Sequence, residues 1–176
     1  MKQHIFITGT DTDIGKTVVT GLLQRGFKLL KENVITQKWC QCGHTELTDI
    51  QIHDKISDIS HNDSVNNLRL PYLFKDPVSP HLADTQNELS LDKISTCITK
   101  LKKQYDILLT EGAGGLMVPL TKNITIVDIL EEKKIPCILT IANKVGCINH
   151  SLLSIEAIKK RKIPLLGFIM NNTNKT

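Results

Sequence analysis

The chain has 176 residues, 40% of them apolar and 23% charged, which suits one hydrophobic core and is short for two. No run approaches the roughly 18 consecutive apolar residues of a membrane helix. A net charge of +4 and only 4% aromatic residues argue against a base-stacking nucleic-acid surface.

In chain order, Met1-Lys2-Gln3-His4 leads into a short apolar run without the long h-region or cleavage site of a secretory signal, so a cytoplasmic location is expected. Ile5-Phe6-Ile7-Thr8 reads as a buried parallel strand ending at Gly9. Val18, Val19, Leu22, Leu23, Phe27 and Leu30 then recur at helical spacing and predict a helix over 16–31. Residues 33–37 form the next strand, which delivers Lys38 at its carboxyl end. Residues 39–90 are polar and interrupted by Pro71, Pro77 and Pro80; they predict a short helix over 49–59 and then a long, partly structured excursion. A helix over 91–103, a strand over 105–111, a helix over 126–133, a strand over 137–142, a helix over 151–160 and a strand over 165–170 complete the chain. Lys159-Lys160-Arg161-Lys162 sits where cations complement a helix C-terminus.

Strands alternating with helices imply right-handed crossovers and an α/β fold: a mostly parallel sheet with helices on both faces. Without repeats or linkers, residues 1–176 are expected to form a single domain. Ligands of such sheets bind beyond the carboxyl ends of the strands. Those ends are Gly9, Lys38, Glu111, Asn143 and Asn171, and they should converge.

Gly9-x-x-x-x-x-Gly15-Lys16-Thr17, one residue longer between its glycines than G-x-x-x-x-G-K-[ST], resembles the P-loop pattern and lies between a strand and a helix. Its glycines allow backbone N–H groups to curl around phosphates, Lys16 reaches the terminal phosphates and the Thr17 hydroxyl ligates Mg²⁺. Glu111, at the end of an apolar strand, stands where P-loop proteins present a second carboxylate to the magnesium shell. The small residues Gly112, Ala113, Gly114 and Gly115 allow a nucleotide to approach the backbone. Five cysteines scattered at 40, 42, 97, 137 and 147 are no disulfide framework. Cys40, Cys42 and His44 alternate in a pattern that invites a zinc reading, but C-x-C-x-H is not the spacing of the common zinc modules.

Four segments together resemble one family. Phe6-Ile7-Thr8-Gly9-Thr10-Asp11-Thr12-Asp13-Ile14-Gly15-Lys16-Thr17 is close to the P-loop of the dethiobiotin synthetases, F-V-T-G-T-D-T-x-V-G-K-T. Pro77-Val78-Ser79-Pro80-His81, Glu111-Gly112-Ala113-Gly114-Gly115-Leu116-Met117-Val118-Pro119-Leu120 and Gly146-Cys147-Ile148-Asn149-His150 resemble that family's P-x-S-P-H, E-G-A-G-G-x-x-x-P-L and L-G-x-I-N-H.

The resemblance implies an ATP-dependent cyclo-ligase of biotin synthesis acting on 7,8-diaminononanoate and CO₂, with Mg²⁺, as a homodimer that binds neither nucleic acid nor membrane. It implies catalytic roles for Lys16 and Lys38, and ATP binding by Thr12, Asp13, Ile14, Gly15, Lys16, Thr17, Val18, Glu111, Gly112, Ala113, Gly114, Asn171 and Asn172. Substrate would meet Lys38, Cys42 and, across the dimer, Asn149. Thr17, Asp49 and Glu111 would hold the metal, with Asp54 as the alternative to Asp49.

Two departures stand out. The family's K-P-V-x-[ST]-G is here Lys38-Trp39-Cys40-Gln41-Cys42-Gly43, with a weaker donor at Cys42 and a bulky Trp39 expected to crowd the loop. The chain also ends soon after Asn171, so the fold is expected to lack the family's C-terminal segment and to leave apolar sheet surface open. Two further readings remain: a degenerate paralogue that binds nucleotide without closing a ring, and a partition-type switch ATPase. The latter's signature lysine is missing, since positions 10 and 11 are Thr10 and Asp11.

Overall fold

A computed structural model describes residues 2–43 and 46–172. The elements run β1 (Gln3–Gly9), α1 (Lys16–Leu29), β2 (Val34–Lys38), β3 (Gln41–Cys42), α2 (Asp49–Ser57), α3 (Asp63–Arg69), β4 (Leu73–Phe74) and α4 (Pro80–Ala83). There follow α5 (Leu91–Gln104), β5 (Ile107–Glu111), α6 (Ile126–Lys133), β6 (Cys137–Ala142), α7 (Cys147–Lys160) and β7 (Leu165–Asn171). Five strands form a parallel sheet in the order β2-β5-β1-β6-β7. Its two faces carry different helices. Val19, Leu23 and Phe27 of α1 pack on Ile5, Ile7, Val34, Ile107 and Leu109, whereas α5, α6 and Ile158 of α7 cover Phe6, Ile35 and Leu108.

Most predicted elements lie where hydrophobic periodicity places them. The excursion holds more order than its composition suggests: β3 pairs in parallel with β4 as a separate two-stranded sheet, and α3 lies between α2 and β4. α7 begins four residues before the expected start, because Gly146 takes the left-handed conformation (φ 89°) that admits the chain to the helix. Of β7, Leu166, Phe168 and Met170 are all more than half exposed. Among the described residues, no helix is long and apolar enough to cross a membrane.

A buried polar chain ties three strands together. His4 donates from Nε2 to Thr110 (2.9 Å), Thr110 donates to Gln37 (3.2 Å), and Gln37 donates to the Leu68 carbonyl (3.1 Å). Burial, and then the charge of Lys102, push His4 down to about 3. The folded state therefore holds His4 neutral, while the unfolded chain takes up a proton near pH 6.5. Stability is expected to fall as pH drops from 6.5 towards 3, by at most about 1.4 kcal/mol per pH unit from this residue. Urea unfolding at pH 7.5 and 5 should show a smaller difference for His4→Gln than for the wild type; equal differences would refute the assignment.

Candidate functional site

The loop after β1 is shaped by two residues with left-handed backbone, Asp13 (φ 54°) and Gly15 (φ 89°). Gly15 is the N-cap of α1, whose first N–H groups have no partner within the helix. A Cβ at Gly15 would lie 2.1 Å from Nδ2 of Asn171, so no other residue fits there without moving that side chain. Asn171 donates from Nδ2 to the Ile14 carbonyl (3.0 Å), which brings the end of β7 onto the loop. Lys16 is buried and its ammonium donates to the Asp11 carbonyl (2.6 Å). Burial, and then the charge of Lys38, push it down to about 8. A cation held under such repulsion is poised to meet an anion.

The second half of the site follows from strand register. Lys38 at the end of β2 lies opposite Glu111 at the end of β5. The Lys38 ammonium donates to Oε1 of Glu111 (2.8 Å) and pairs with Asp49 at the start of α2. The Thr17 hydroxyl donates to the same Glu111 oxygen (3.0 Å), and Nε2 of His53 lies 2.7 Å from Oε2. Burial alone would push the Glu111 carboxyl up, but Lys38 and then His53 outweigh it and hold it at about 2. Lys38 is desolvated as well, yet Glu111 and Asp49 raise it above its ordinary value. Lys38 and Glu111 are therefore both ionised at neutral pH.

α2 is set in place by packing and by caps. Gly21 of α1 lets Ile56 approach, since a Cβ there would meet the Ile56 side chain at 2.9 Å. Thr48 and Gln51 form a capping box, and the Asp49 N–H donates to the Gln41 side chain (2.8 Å). Asp54, the alternative metal ligand, is committed elsewhere: both its oxygens accept from the buried Arg69 guanidinium (2.7 and 2.8 Å).

These residues border a cleft of about 510 Å³ lined by Thr12, Asp13, Gly15, Lys16, Thr17, Lys38, Gln41, Cys42, Asp49, Pro77, Val78, Ser79, Pro80, Glu111, Ala113, Gly114 and Val118. Other expected residues lie apart from it. Ile14 is buried against Gly9, Val18 is exposed on α1, and Gly112 abuts the Phe6 ring. Asn172 accepts from Asn143 (2.8 Å), and Asn149 is exposed in the first turn of α7. A second hollow of about 450 Å³ runs from Gly9–Thr12 past Met117 to Leu153 and Ala157 of α7.

Trp39 corrects the expectation of a crowded loop. It is 2% exposed and turns into the core against Phe6, with ring centroids 4.8 Å apart. Cys40 follows it into the core, while Cys42 faces the cleft. The neighbouring Cys40 thiol and then the Lys38 charge lower Cys42 against the effect of burial. His44 lies outside the described residues. Sequence reasoning missed His53, whose only signal is its position four residues after Asp49, and Gln41. Pro77, Val78 and Ser79, which carry part of the family resemblance, form part of the cleft wall.

Among the described residues, no group of three or more His, Cys, Asp or Glu is arranged to hold a metal ion. The donors at the cleft are instead one hydroxyl and two carboxylates, from Thr17, Asp49 and Glu111. Hard oxygens in that small number suit magnesium, which keeps waters and takes substrate phosphates as further ligands.

The profile of the AAA domain matches residues 3–176. Proteins named ATP-dependent dethiobiotin synthetase BioD are similar over nearly the whole chain. The one from Halalkalibacterium halodurans is 42% identical over 96% of this chain and 72% of its own length. That of Chlorobaculum tepidum is 41% identical, again over 96% and 72%. BioD 2 of Haemophilus influenzae is 39% identical over 97% of this chain and 92% of its own length. Among solved structures, the MinD cell division protein of Aquifex aeolicus superposes with a TM-score of 0.57 at 15% identity, over 98% of this chain and 70% of that one. A ParA family ATPase from Chlorobium tepidum gives 0.56 at 13% identity, over 99% and 75%. At that identity the structural likeness concerns the fold alone.

Proposed function

The chain belongs to the ATP-dependent dethiobiotin synthetase family, and from that premise we propose that it closes the ureido ring of dethiobiotin from 7,8-diaminononanoate, CO₂ and ATP. One amine of the diamine combines with CO₂ to give a carbamate. A carbamate oxygen attacks the γ-phosphorus of ATP, breaking its bond to the β-phosphate bridge and releasing ADP. The second amine then attacks the carbonyl carbon of the mixed anhydride, and phosphate leaves as the ring closes.

One observation carries this reading: Lys16, Thr17, Lys38, Asp49 and Glu111, from four separate elements, meet at a single cleft beside the phosphate loop. An anionic carbamate must approach an anionic phosphate, so the site has to supply concentrated positive charge. Lys16 meets the terminal phosphates and Lys38 the carbamate. Thr17, Asp49 and Glu111 would hold Mg²⁺, which supplies charge neutralisation across the phosphate oxygens. Asn171 and Asn172, at the end of β7, face the nucleotide base. The exposed first turn of α7, with Asn149, serves a second copy of the chain by receiving the substrate carboxylate, as a helix N-terminus can. Exposed Ile148, Leu152 and Leu153 on α7 are consistent with such a homodimer.

The test is ADP release with Mg-ATP and bicarbonate, with and without diaminononanoate. Release that depends on the diamine is expected; nucleotide binding without diamine-dependent release would mark a degenerate paralogue. Cys42 provides a second check. A thiol is a weak donor, so Cys42→Ser is expected to lower the KM for diaminononanoate about threefold, the effect of one modest hydrogen bond. An unchanged or higher KM would remove Cys42 from the substrate contacts.

A further inference from the structure

The Glu111 carboxylate is gripped by three donors, and they do not stand on the same side. Thr17 and Lys38 line the cleft and both bond Oε1. His53 is fully buried, does not line the cleft, and bonds Oε2. One oxygen of Glu111 therefore looks into the cleft while the other is held from behind. The hand that holds it belongs to α2, whose Asp49 lies one turn earlier on the same face. A single capped helix thus sets both carboxylates of the cluster.

We propose that His53 is a positioning residue that ties back one oxygen of Glu111, so that the carboxylate presents a single, fixed oxygen to the metal of the metal–nucleotide complex. The proposal rests on the reading of Glu111 as a magnesium ligand. A carboxylate accepts only, so Nε2 of His53 carries the proton. The other ring nitrogen, Nδ1, has no hydrogen-bond partner among the described residues. A structural filler would avoid that penalty: leucine would occupy a similar space and leave no ring nitrogen stranded. The arrangement makes sense when the bonded nitrogen has work at Glu111. Outer partners of this kind orient a ligating group and remove its freedom to swing or to chelate through both oxygens.

Mn²⁺ binding to the protein–ADP complex, followed by electron paramagnetic resonance, tests this without turnover. His53→Leu is expected to weaken Mn²⁺ about tenfold, the lower end of the usual effect of an outer partner, while metal-free ADP affinity stays within twofold of the wild type. His53→Gln, whose amide nitrogen reaches the place of Nε2, should recover most of the affinity. His53→Asn, which is too short to reach Glu111, should not. Wild-type Mn²⁺ affinity in His53→Leu, or equal affinities in the Gln and Asn variants, would overturn the proposal; the Gln–Asn pair decides the matter even if the Leu variant fails to fold. Glu111→Gln separates the two layers. If it weakens Mn²⁺ and His53→Leu does not, only the role of His53 fails. If it leaves Mn²⁺ unchanged, the reading of Glu111 as a ligand fails first.

Discussion

Lys16→Ala is expected to reduce ADP release by about 10²–10³-fold, the usual effect of removing one preorganised charge from a transition state that gathers negative charge. The structure adds a less ordinary expectation about stability. In the free protein the Lys16 ammonium is buried, feels the repulsion of Lys38 and, among the described residues, has a single backbone carbonyl as its hydrogen-bond partner. Its removal relieves a desolvated cation and leaves no carboxylate unpaired, so the variant should unfold at the same temperature as the wild type or slightly higher. Calorimetry and turnover together check this. A variant that retains more than a tenth of the activity, or that is clearly destabilised, would contradict the role given to Lys16.

Lys38→Ala should lose activity to a similar degree, about 10²–10³-fold, but with the opposite effect on the fold. Lys38 neutralises Glu111, which is 1% exposed, and pairs with Asp49. Taking away one partner of a buried ion pair leaves an uncompensated charge and costs about 3–5 kcal/mol. The pH dependence follows from the same cluster. In the wild type the Glu111 carboxyl is held at about 2, so its contribution to stability is complete above about pH 4.5 and is lost as pH falls towards 2. Without Lys38, burial raises that carboxyl, and protonation relieves the buried charge. The deficit of the variant should therefore shrink as the solution is acidified. Chemical unfolding at pH 7.5 and 5 measures it; equal stability of variant and wild type at pH 7.5 would show that Lys38 does not compensate Glu111.

The contrast between these lysines marks what was legible in the sequence. The P-loop, its flanking strand and helix, and the two strands ending at Lys38 and Glu111 were readable because local rules fix them: the Gly15-Lys16-Thr17 signature, apolar runs and helical period. Their meeting was readable too, since parallel strands present their carboxyl ends on one side. What periodicity could not supply was the direction of side chains outside the regular elements. Trp39 looked like an obstacle in the loop, yet hydrophobic burial draws it beneath the sheet onto Phe6. The small sheet of β3 and β4 was hidden by strands too short to carry a pattern. Asp49 and Asp54 were alternatives in sequence; Asp49 lines the cleft while Asp54 accepts from the buried Arg69, and no local signal reveals that partner. His53 escaped notice because a lone histidine on a helix has no signature until its carboxylate is known.

The relatives match this chain over 72% to 92% of their own lengths, and the family profile, over residues 3–176, takes in all the strand ends that build the site.

The most direct test of the account is product formation from labelled bicarbonate. The protein is incubated with Mg-ATP, diaminononanoate and ¹³C-bicarbonate, and the cyclic urea and ADP are quantified by mass spectrometry. The account predicts ¹³C in the urea carbonyl, one ADP for each ring closed, and about 10²–10³-fold slower formation of labelled product with Lys38→Ala. ADP formed without labelled cyclic urea, or at the same rate without the diamine, would contradict it.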